Sequence, residues 1–366
     1  YGWHGLQIPI GNYLILLIET DNGLVGLGEA PTLPDWGGEH HRYYGEDPYT
    51  AAHMIDKYFK PILLGADPRN ISSLLAQIDV PVRGHMCAKS AVDLALHDLA
   101  GKAAGVPVYQ LLGGAMRERA EVCHSVGIAT PEFAAQEAAG TVADGIKTMQ
   151  IKVPGDPETD CAIITAIREA VGDRVDIFPD INQGYKNPKQ AIAAIRAMQK
   201  FGICGVEQPL EGRRPMARVT EAVDVIVWTD EGVWTPYDAM EVVRQQSADA
   251  ISIYYTKSGG LQRAMEIGVI AATAGMPVNL NGALETGVGN AGNLHLIAAL
   301  RGEVKPNVIP VTTLKGREVC KVGAVFYTDD IITEPFAYAD GFLTIPDKPG
   351  LGIELDMDKI EKYRVA

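Results

Sequence analysis

Between Met149 and Lys257 the chain repeats one pattern, a short apolar run that ends on a charged residue. The runs are Met149-Gln150-Ile151-Lys152, Asp176-Ile177-Phe178-Pro179-Asp180, Cys204-Gly205-Val206-Glu207, Val225-Ile226-Val227-Trp228-Thr229-Asp230 and Ala250-Ile251-Ser252-Ile253-Tyr254-Tyr255-Thr256-Lys257. Their terminal charges are separated by 28, 27, 23 and 27 residues. A strand, a helix and two short loops need about that length, and β-rich runs alternating with helical patterns specify repeated βα units around a parallel sheet. In a closed barrel of such units the C-terminal ends of all strands meet at one mouth, so the five charges are expected to converge there.

The flanks follow other rules. Residues 13–19 and 24–29 are apolar strand patterns on either side of Asp21-Asn22-Gly23, a hairpin turn. Residues 34–47 have no period and gather Asp35, Trp36, Glu39, His40, His41, Tyr43, Tyr44 and Glu46, as a functional loop does. Helical spacing continues to about Gly105, with Ala91, Leu94, Ala95 and Leu99 on one stripe. From Glu121 the βα rhythm begins. Asn187-Pro188 and Thr235-Pro236 read as N-caps followed by proline at the first helical position, and Gly202 and Gly275 as helix stops. Strands are expected at 121–127, at the five runs, at 277–281 and near 307–311, before 325–354 returns to a turn-rich β pattern. This divides the chain into an α+β region (1–115), a barrel (116–315) and a C-terminal segment (316–366) that rejoins the first region.

Composition narrows the partners. A formal net charge of −14 opposes binding to nucleic acid or an anionic membrane, which require clustered Lys and Arg. No apolar run approaches the roughly 20 residues of a membrane span, and no charged-then-apolar leader precedes the first strand pattern. The cysteines Cys87, Cys123, Cys161, Cys204 and Cys320 are dispersed and form no CxxC pair, as expected of reduced thiols in a cytoplasmic protein.

The chemistry lies at the mouth. Asp180, Glu207 and Asp230 end three consecutive strands, and three carboxylates so close together need a counter-cation. Oxygen ligands suit Mg²⁺, which keeps positions open for water or a substrate oxygen. Lys152 and Lys257 lie one strand outside each end of that trio, so that on a closed barrel they face each other across the bound ligand. A lysine near a cation and another amine is pushed towards its neutral, basic form. The set suits removal of a proton α to a carboxylate held by the metal, giving a metal-stabilised enediolate. A lone acid at a strand end is more often a helix cap or a loop ion pair, but five charges at one register are not five such accidents. Asn182, Gln208 and Glu231, next to the expected ligands, are expected to support them by hydrogen bonds. His85, His97, His124 and His295 are dispersed and read as structural.

These residues resemble the enolase superfamily, in its muconate lactonizing enzyme subgroup, over nearly the whole chain. The resemblance is carried by residues 19–30 (Glu-Thr-Asp-Asn-Gly-Leu-Val-Gly-Leu-Gly-Glu-Ala), the stretch from Asp98-Leu99-Ala100-Gly101-Lys102 to Leu111-Leu112-Gly113-Gly114, Asp180-Ile181-Asn182, Glu207-Gln208-Pro209, Asp230-Glu231, Lys257-Ser258-Gly259-Gly260 and Pro349-Gly350-Leu351-Gly352. It implies a modified eight-stranded barrel, (β/α)7β, capped by an α+β domain built from both termini. It also implies one Mg²⁺ per subunit on Asp180, Glu207 and Asp230, Lys152 and Lys257 as the acid/base pair, a small carboxylate substrate and homo-oligomeric assembly. The lid implied over the mouth is the loop carrying Asp35, Trp36, Tyr43 and Tyr44.

Two departures from the subgroup matter. Its Lys-x-Lys on the second strand is Gln150-Ile151-Lys152 here, which removes one positive group, and its Glu on the eighth strand has no counterpart in Lys305-Pro306-Asn307-Val308-Ile309-Pro310. Glu285, after the seventh strand, is placed to reach the mouth or to serve the structure. Two intact lysines favour racemisation or epimerisation of an amino acid derivative, and related Gln-x-Lys members point to proline- or hydroxyproline-like acids. Asp35, Glu39, Glu46 and Asp47 beside Trp36, Tyr43 and Tyr44 in the lid suit a cationic nitrogen, which extends the class to betaine-like acids. β-Elimination from a hydroxy acid or 3-hydroxyproline uses the same pair, and cycloisomerisation of a muconate-like diacid ranks lower because of Gln150. A non-catalytic metal-binding protein would have no use for the lysines.

Overall fold

The computed structural model describes residues 2–3, 6–7, 12–43, 45–282, 284–311, 322–324, 326–327 and 329–365. Tyr44 lies outside them. Seven parallel strands, neighbours in chain order, form one sheet: His124–Val126, Thr148–Lys152, Asp176–Asp180, Gly205–Glu207, Ile226–Thr229, Ala250–Ile253 and Val278–Leu280. Side chains alternate along each strand. Met149, Ile151, Ile177, Val206, Val227, Ile251 and Ile253 belong to the main core under the helices, whereas Gln150, Lys152, Asp180, Glu207 and Ser252 meet inside. The barrel interior is therefore polar at its mouth because of the strand period alone.

The helices between strands start where local chemistry puts them. Thr130, Asp156, Asn187 and Thr235 each accept a hydrogen bond from the backbone N–H three residues on, and each is followed by proline. Three expectations about strands are corrected. The single strand at 121–127 is two: Arg119–Glu121 pairs antiparallel with Phe342–Thr344, and His124–Val126 enters the barrel. The fifth run, the sixth of the parallel strands, stops at Ile253, and Tyr255–Ser258 turns into a short helix, so Lys257 stands beyond the strand rather than at its end. The expected eighth strand forms no ladder among the described residues. Instead, isolated bridges Val278↔Val304 and Val122↔Asn307, with Val308 N–H donating to the Leu280 carbonyl at 2.9 Å, close the ring between the seventh and first strands. Two prolines, Pro306 and Pro310, deny this segment the amides a ladder needs.

The cap is a hairpin, Tyr13–Glu19 with Val25–Pro31, laid on the long helix Met86–Ala104. Its second strand touches the helix backbone: a Cβ on Gly28 would lie 2.0 Å from the Ala91 carbonyl oxygen and one on Gly26 2.3 Å from that of Ala95. Buried acids fix the cap in place. Asp98 accepts from Leu27 N–H (2.9 Å) and from Leu351 N–H of the C-terminal segment (2.8 Å), and Asp93 accepts from Leu261 N–H on the barrel. Glu29 accepts from Thr286 N–H (2.8 Å), Thr286 Oγ1 (2.6 Å) and Gly289 N–H (2.8 Å) at the start of barrel helix Gly287–Ala299. The cap thus rides on the barrel through backbone donors.

Candidate active site

Register brings the acids together. Lys152 pairs with Asp180 and Asp180 with Glu207 across adjacent strands, while Asp230 follows its own strand by one residue. All three carboxylates are fully buried, as is Glu231. Lys152 holds Asp180, whose other oxygen accepts from Asn182 N–H at 2.9 Å. Lys257, itself fully buried, donates to the Asp230 carboxylate, to the Asp230 carbonyl (2.8 Å) and to the Ser252 carbonyl (3.0 Å). Tyr254 donates its hydroxyl to Asp230 at 3.1 Å, and the Lys257 ammonium stands 4.5 Å from its ring centre.

Gln150, read as a lost cation, has a definite place. Its amide nitrogen donates to Glu207 (2.6 Å) and Asp180 (3.2 Å), and its oxygen accepts from Ser125 at 2.7 Å, which fixes the amide orientation. Ser252 and Asn281 donate to the other Glu207 oxygen, each at 2.8 Å. Burial, together with the charges of Asp180 and Asp230, pushes the Glu207 carboxyl up to about 8. Burial also raises Asp180, and Asp230 adds to the rise that Lys152 opposes. Glu231, held by Asn182 Nδ2 at 2.9 Å, is raised by burial and then by Asp230 and Asp180.

These carboxylates repel one another, and the two ammonium groups do not balance the four acids Asp180, Glu207, Asp230 and Glu231. Such a donor set fits a hard divalent cation, which carries the missing charge. Among the described residues no three His, Cys, Asp or Glu side chains converge as a ligand set; Lys152 and Lys257 hold Asp180 and Asp230 instead. The lysines occupy the lone pairs that a cation would claim.

The cavity at the mouth is only about 40 Å³ and is lined by residues that include Trp36, Gln150, Lys152, Asn182, Tyr254 and Phe326. That holds a few waters and no organic acid. Above it, Trp36 packs on Trp234 (ring centres 5.1 Å apart) and on Tyr254 (5.3 Å), and Tyr43 stacks on Trp234 (5.3 Å). The lid is shut on the barrel. His40, His41 and Tyr43 all have φ near +55°, a strained backbone that only firm contacts maintain.

Residues 9–113 match the mandelate racemase / muconate lactonizing enzyme N-terminal domain family, and residues 133–359 the enolase C-terminal domain-like family. The chain belongs to the mandelate racemase/muconate lactonizing enzyme group of the enolase superfamily. It is 32% identical over 356 residues to muconate cycloisomerase 1 of Rhodococcus opacus, covering 96% of this chain and 90% of that protein. It is 34% identical over 346 residues to the L-Ala-D/L-Glu epimerase of Bacillus subtilis, covering 93% and 88%. Its fold matches the crystal structure of N-succinyl Arg/Lys racemase from Bacillus cereus with a TM-score of 0.86 at 29% identity, over 97% of this chain and 90% of that one. These relatives are isomerases, and this member of the superfamily is an isomerase that works by proton abstraction. Enzymes of the family are generally Mg²⁺-dependent and act on small carboxylates. No helix among the described residues is long and apolar enough to cross a membrane.

The loop acids divide by task. Glu46 accepts from Cys87 and Ala88 N–H, and Asp47 caps helix Pro48–Met54, so neither faces a substrate. Both Asp35 oxygens are buried without a hydrogen-bond partner among the described residues. Glu285 is fully buried, accepts from Thr256 Oγ1 at 3.2 Å and lies behind Gly282 rather than in the cavity wall. Ser125, Ser252, Tyr254 and Asn281 were missed by a search for charges. The alternation in Ser252-Ile253-Tyr254 and the strand-ending position of Asn281 were the signals available.

Proposed function

We propose that the enzyme racemises or epimerises a compact zwitterionic amino acid derivative, with Lys152 and Lys257 acting on the α-carbon from opposite walls of the barrel. The observation that carries this is the symmetric pairing of the two lysines with Asp180 and Asp230, on the second and just past the sixth of the parallel strands. Asp180, Glu207 and Asp230 would hold a Mg²⁺. When bound, the cation supplies the positive charge that offsets the negative charge left on the substrate carboxylate as the α-proton departs. Lys152 takes the proton from one face and Lys257 returns one to the other, so neither lysine can be spared for net inversion. Ser125 and Gln150 orient Glu207, and Asn182 orients Glu231.

Wall chemistry supports the substrate class. Lys152 is the one charged side chain lining the cavity among the described residues, and Gln150 stands where a further cation would meet a second carboxylate. A muconate-like dianion would leave that second carboxylate facing amides and apolar side chains. A cationic nitrogen would meet the rings of Trp36 and Tyr254 instead, which already face the Lys257 ammonium at 6.0 and 4.5 Å, contacts of about 0.5–2 kcal/mol. Proline, hydroxyproline and betaine-like acids carry that charge on a compact frame. The test is a screen of such acids for α-hydrogen exchange in deuterated solvent with Mg²⁺ present. Exchange with inversion and an unchanged formula supports racemisation, loss of water identifies a dehydratase, and exchange confined to dianions overturns the substrate class.

A further inference from the structure

Glu39 lies in the lid, is 2% exposed and does not line the cavity. Its Oε1 accepts from the Gln208 side-chain amide at 3.1 Å and from Gly212 N–H at 2.8 Å, and its own N–H donates to the Glu231 carbonyl at 3.4 Å. Gln208 is a hub. Its oxygen accepts from Asp230 N–H (2.8 Å), Gly232 N–H (3.2 Å) and Thr229 Oγ1 (3.2 Å), and its nitrogen also donates to the Leu210 carbonyl (2.8 Å). The Gln208 backbone is itself left-handed, at φ +36°. One buried amide therefore joins the lid to the backbone that carries Asp230.

We propose that Glu39 is a positioning residue, a latch through which the closed lid holds the loop of Asp230 in its working place. The assignment builds on Asp230 as a metal ligand, in keeping with the proposed function. Closing the lid delivers the Glu39 oxygen to Gln208, which locks the amide whose other end receives Asp230 and Gly232. Opening withdraws that oxygen, frees the strained turn at His40, His41 and Tyr43, and lets the Asp230 loop relax. Because such coupling is reciprocal, a cation on Asp230 favours the closed lid as much as the closed lid favours the cation. Substrate entry, which the small cavity makes impossible with the lid shut, then carries with it a loosening of one ligand loop.

Three variants separate the latch from mere packing. Glu39→Gln keeps an oxygen acceptor of the same reach, Glu39→Asp keeps the charge but draws it back, and Glu39→Ala removes both. Amide hydrogen exchange of the metal-free full chain reads the loop directly, and calorimetric titration with Mg²⁺ alone reads the site. Glu39→Ala and Glu39→Asp should speed exchange at Asp230 and Gly232 about tenfold and raise the Mg²⁺ Kd about tenfold, with the first barrel strand unaffected. Glu39→Gln should restore both values to within about threefold of the parent. If Glu39→Ala does not fold, Glu39→Asp carries the test. The latch is overturned if lid amides exchange faster while Asp230 and Gly232 do not, or if Glu39→Gln is as damaging as Glu39→Ala. A parent protein that takes up no Mg²⁺ would remove the metal assignment, while the exchange data would still decide whether Glu39 holds the loop.

Discussion

Two sets of buried acids, a few strands apart, are held in opposite ways. At the seam between cap and barrel, Glu29, Asp93 and Asp98 accept mainly from backbone N–H groups that no side-chain rotation can withdraw. At the mouth, Asp180, Glu207 and Asp230 accept mainly from lysine, glutamine, serine and asparagine side chains. Burial does not tell them apart, since it raises Glu29 and Glu207 alike. The donors do. Backbone donors make a fixed joint, whereas side-chain donors can leave when a cation or substrate replaces them.

The largest effect expected from this contrast is at the lysines. Lys152→Ala and Lys257→Ala should each lower net inversion by about 10³-fold or more while leaving solvent exchange of one stereoisomer, the one its surviving lysine reaches. Chiral analysis and deuterium uptake measure the two separately. Net inversion surviving in either variant would remove that lysine from the mechanism.

At the seam the loss should be of stability. Glu29→Ala leaves the N–H groups of Thr286 and Gly289 buried without an acceptor, at a cost of about 1–3 kcal/mol for each group. Urea unfolding should show a loss of roughly 3 kcal/mol, with near-parental activity per folded molecule. A stable but inactive Glu29→Ala would place Glu29 with the mouth.

The seam also predicts an acid limit. His295, which bonds the Leu351 carbonyl at 3.2 Å, is pulled down to about 4 by burial, so the folded protein keeps it neutral while the unfolded chain protonates near 6.5. At this group the unfolded state then binds more protons between those values, so its contribution to stability falls as pH drops from about 6.5 towards 4, against the opposite contribution of Glu29, whose raised carboxyl binds more protons in the fold. Between pH 7 and pH 5 the contribution is about 2 kcal/mol. His295→Gln should flatten that part of the unfolding profile, and an unchanged slope would assign the acid lability elsewhere.

The smallest effect expected is a change of preference. Gln150→Lys adds a cation beside Glu207 and should move the ratio of kcat/KM for dianionic over zwitterionic acids upward by about tenfold, roughly 1.4 kcal/mol. A ratio that stays put would show that the charge at this position does not select the substrate.

The two sets of acids were not equally legible in the sequence. Asp180, Glu207 and Asp230 could be found because strand period and βα spacing repeat, so a charge at the end of one run predicts the next. Lys257 kept its place at the mouth although its strand ended four residues earlier. The seam acids follow no period. Glu29 meets its donors 257 and 260 residues away, and Asp98 meets one of its own 253 residues away, distances that only the folded chain brings together. The loop acids misled for a related reason. Glu39, Glu46 and Asp47 share one acidic stretch with Asp35, yet their partners lie on three different elements. The eighth strand failed because Pro306 and Pro310 remove amides from a run whose apolar pattern alone suggested a ladder.

That unladdered stave bears on how such an enzyme changes over evolutionary time. Val308 stands on it and forms part of the cavity wall, yet the segment is tied to its neighbours by a few isolated backbone bonds. Ser125, Gln150 and Lys152, elsewhere in the wall, sit on strands of the parallel sheet, whose neighbouring side chains pack a core on the other face. Here a substitution can reshape the space offered to a substrate without disturbing a register. New substrate preferences should therefore arise more readily at Val308 than at Gln150, with substitutions there limited by its packing against Cys123, Phe178 and Ala324 rather than by strand register.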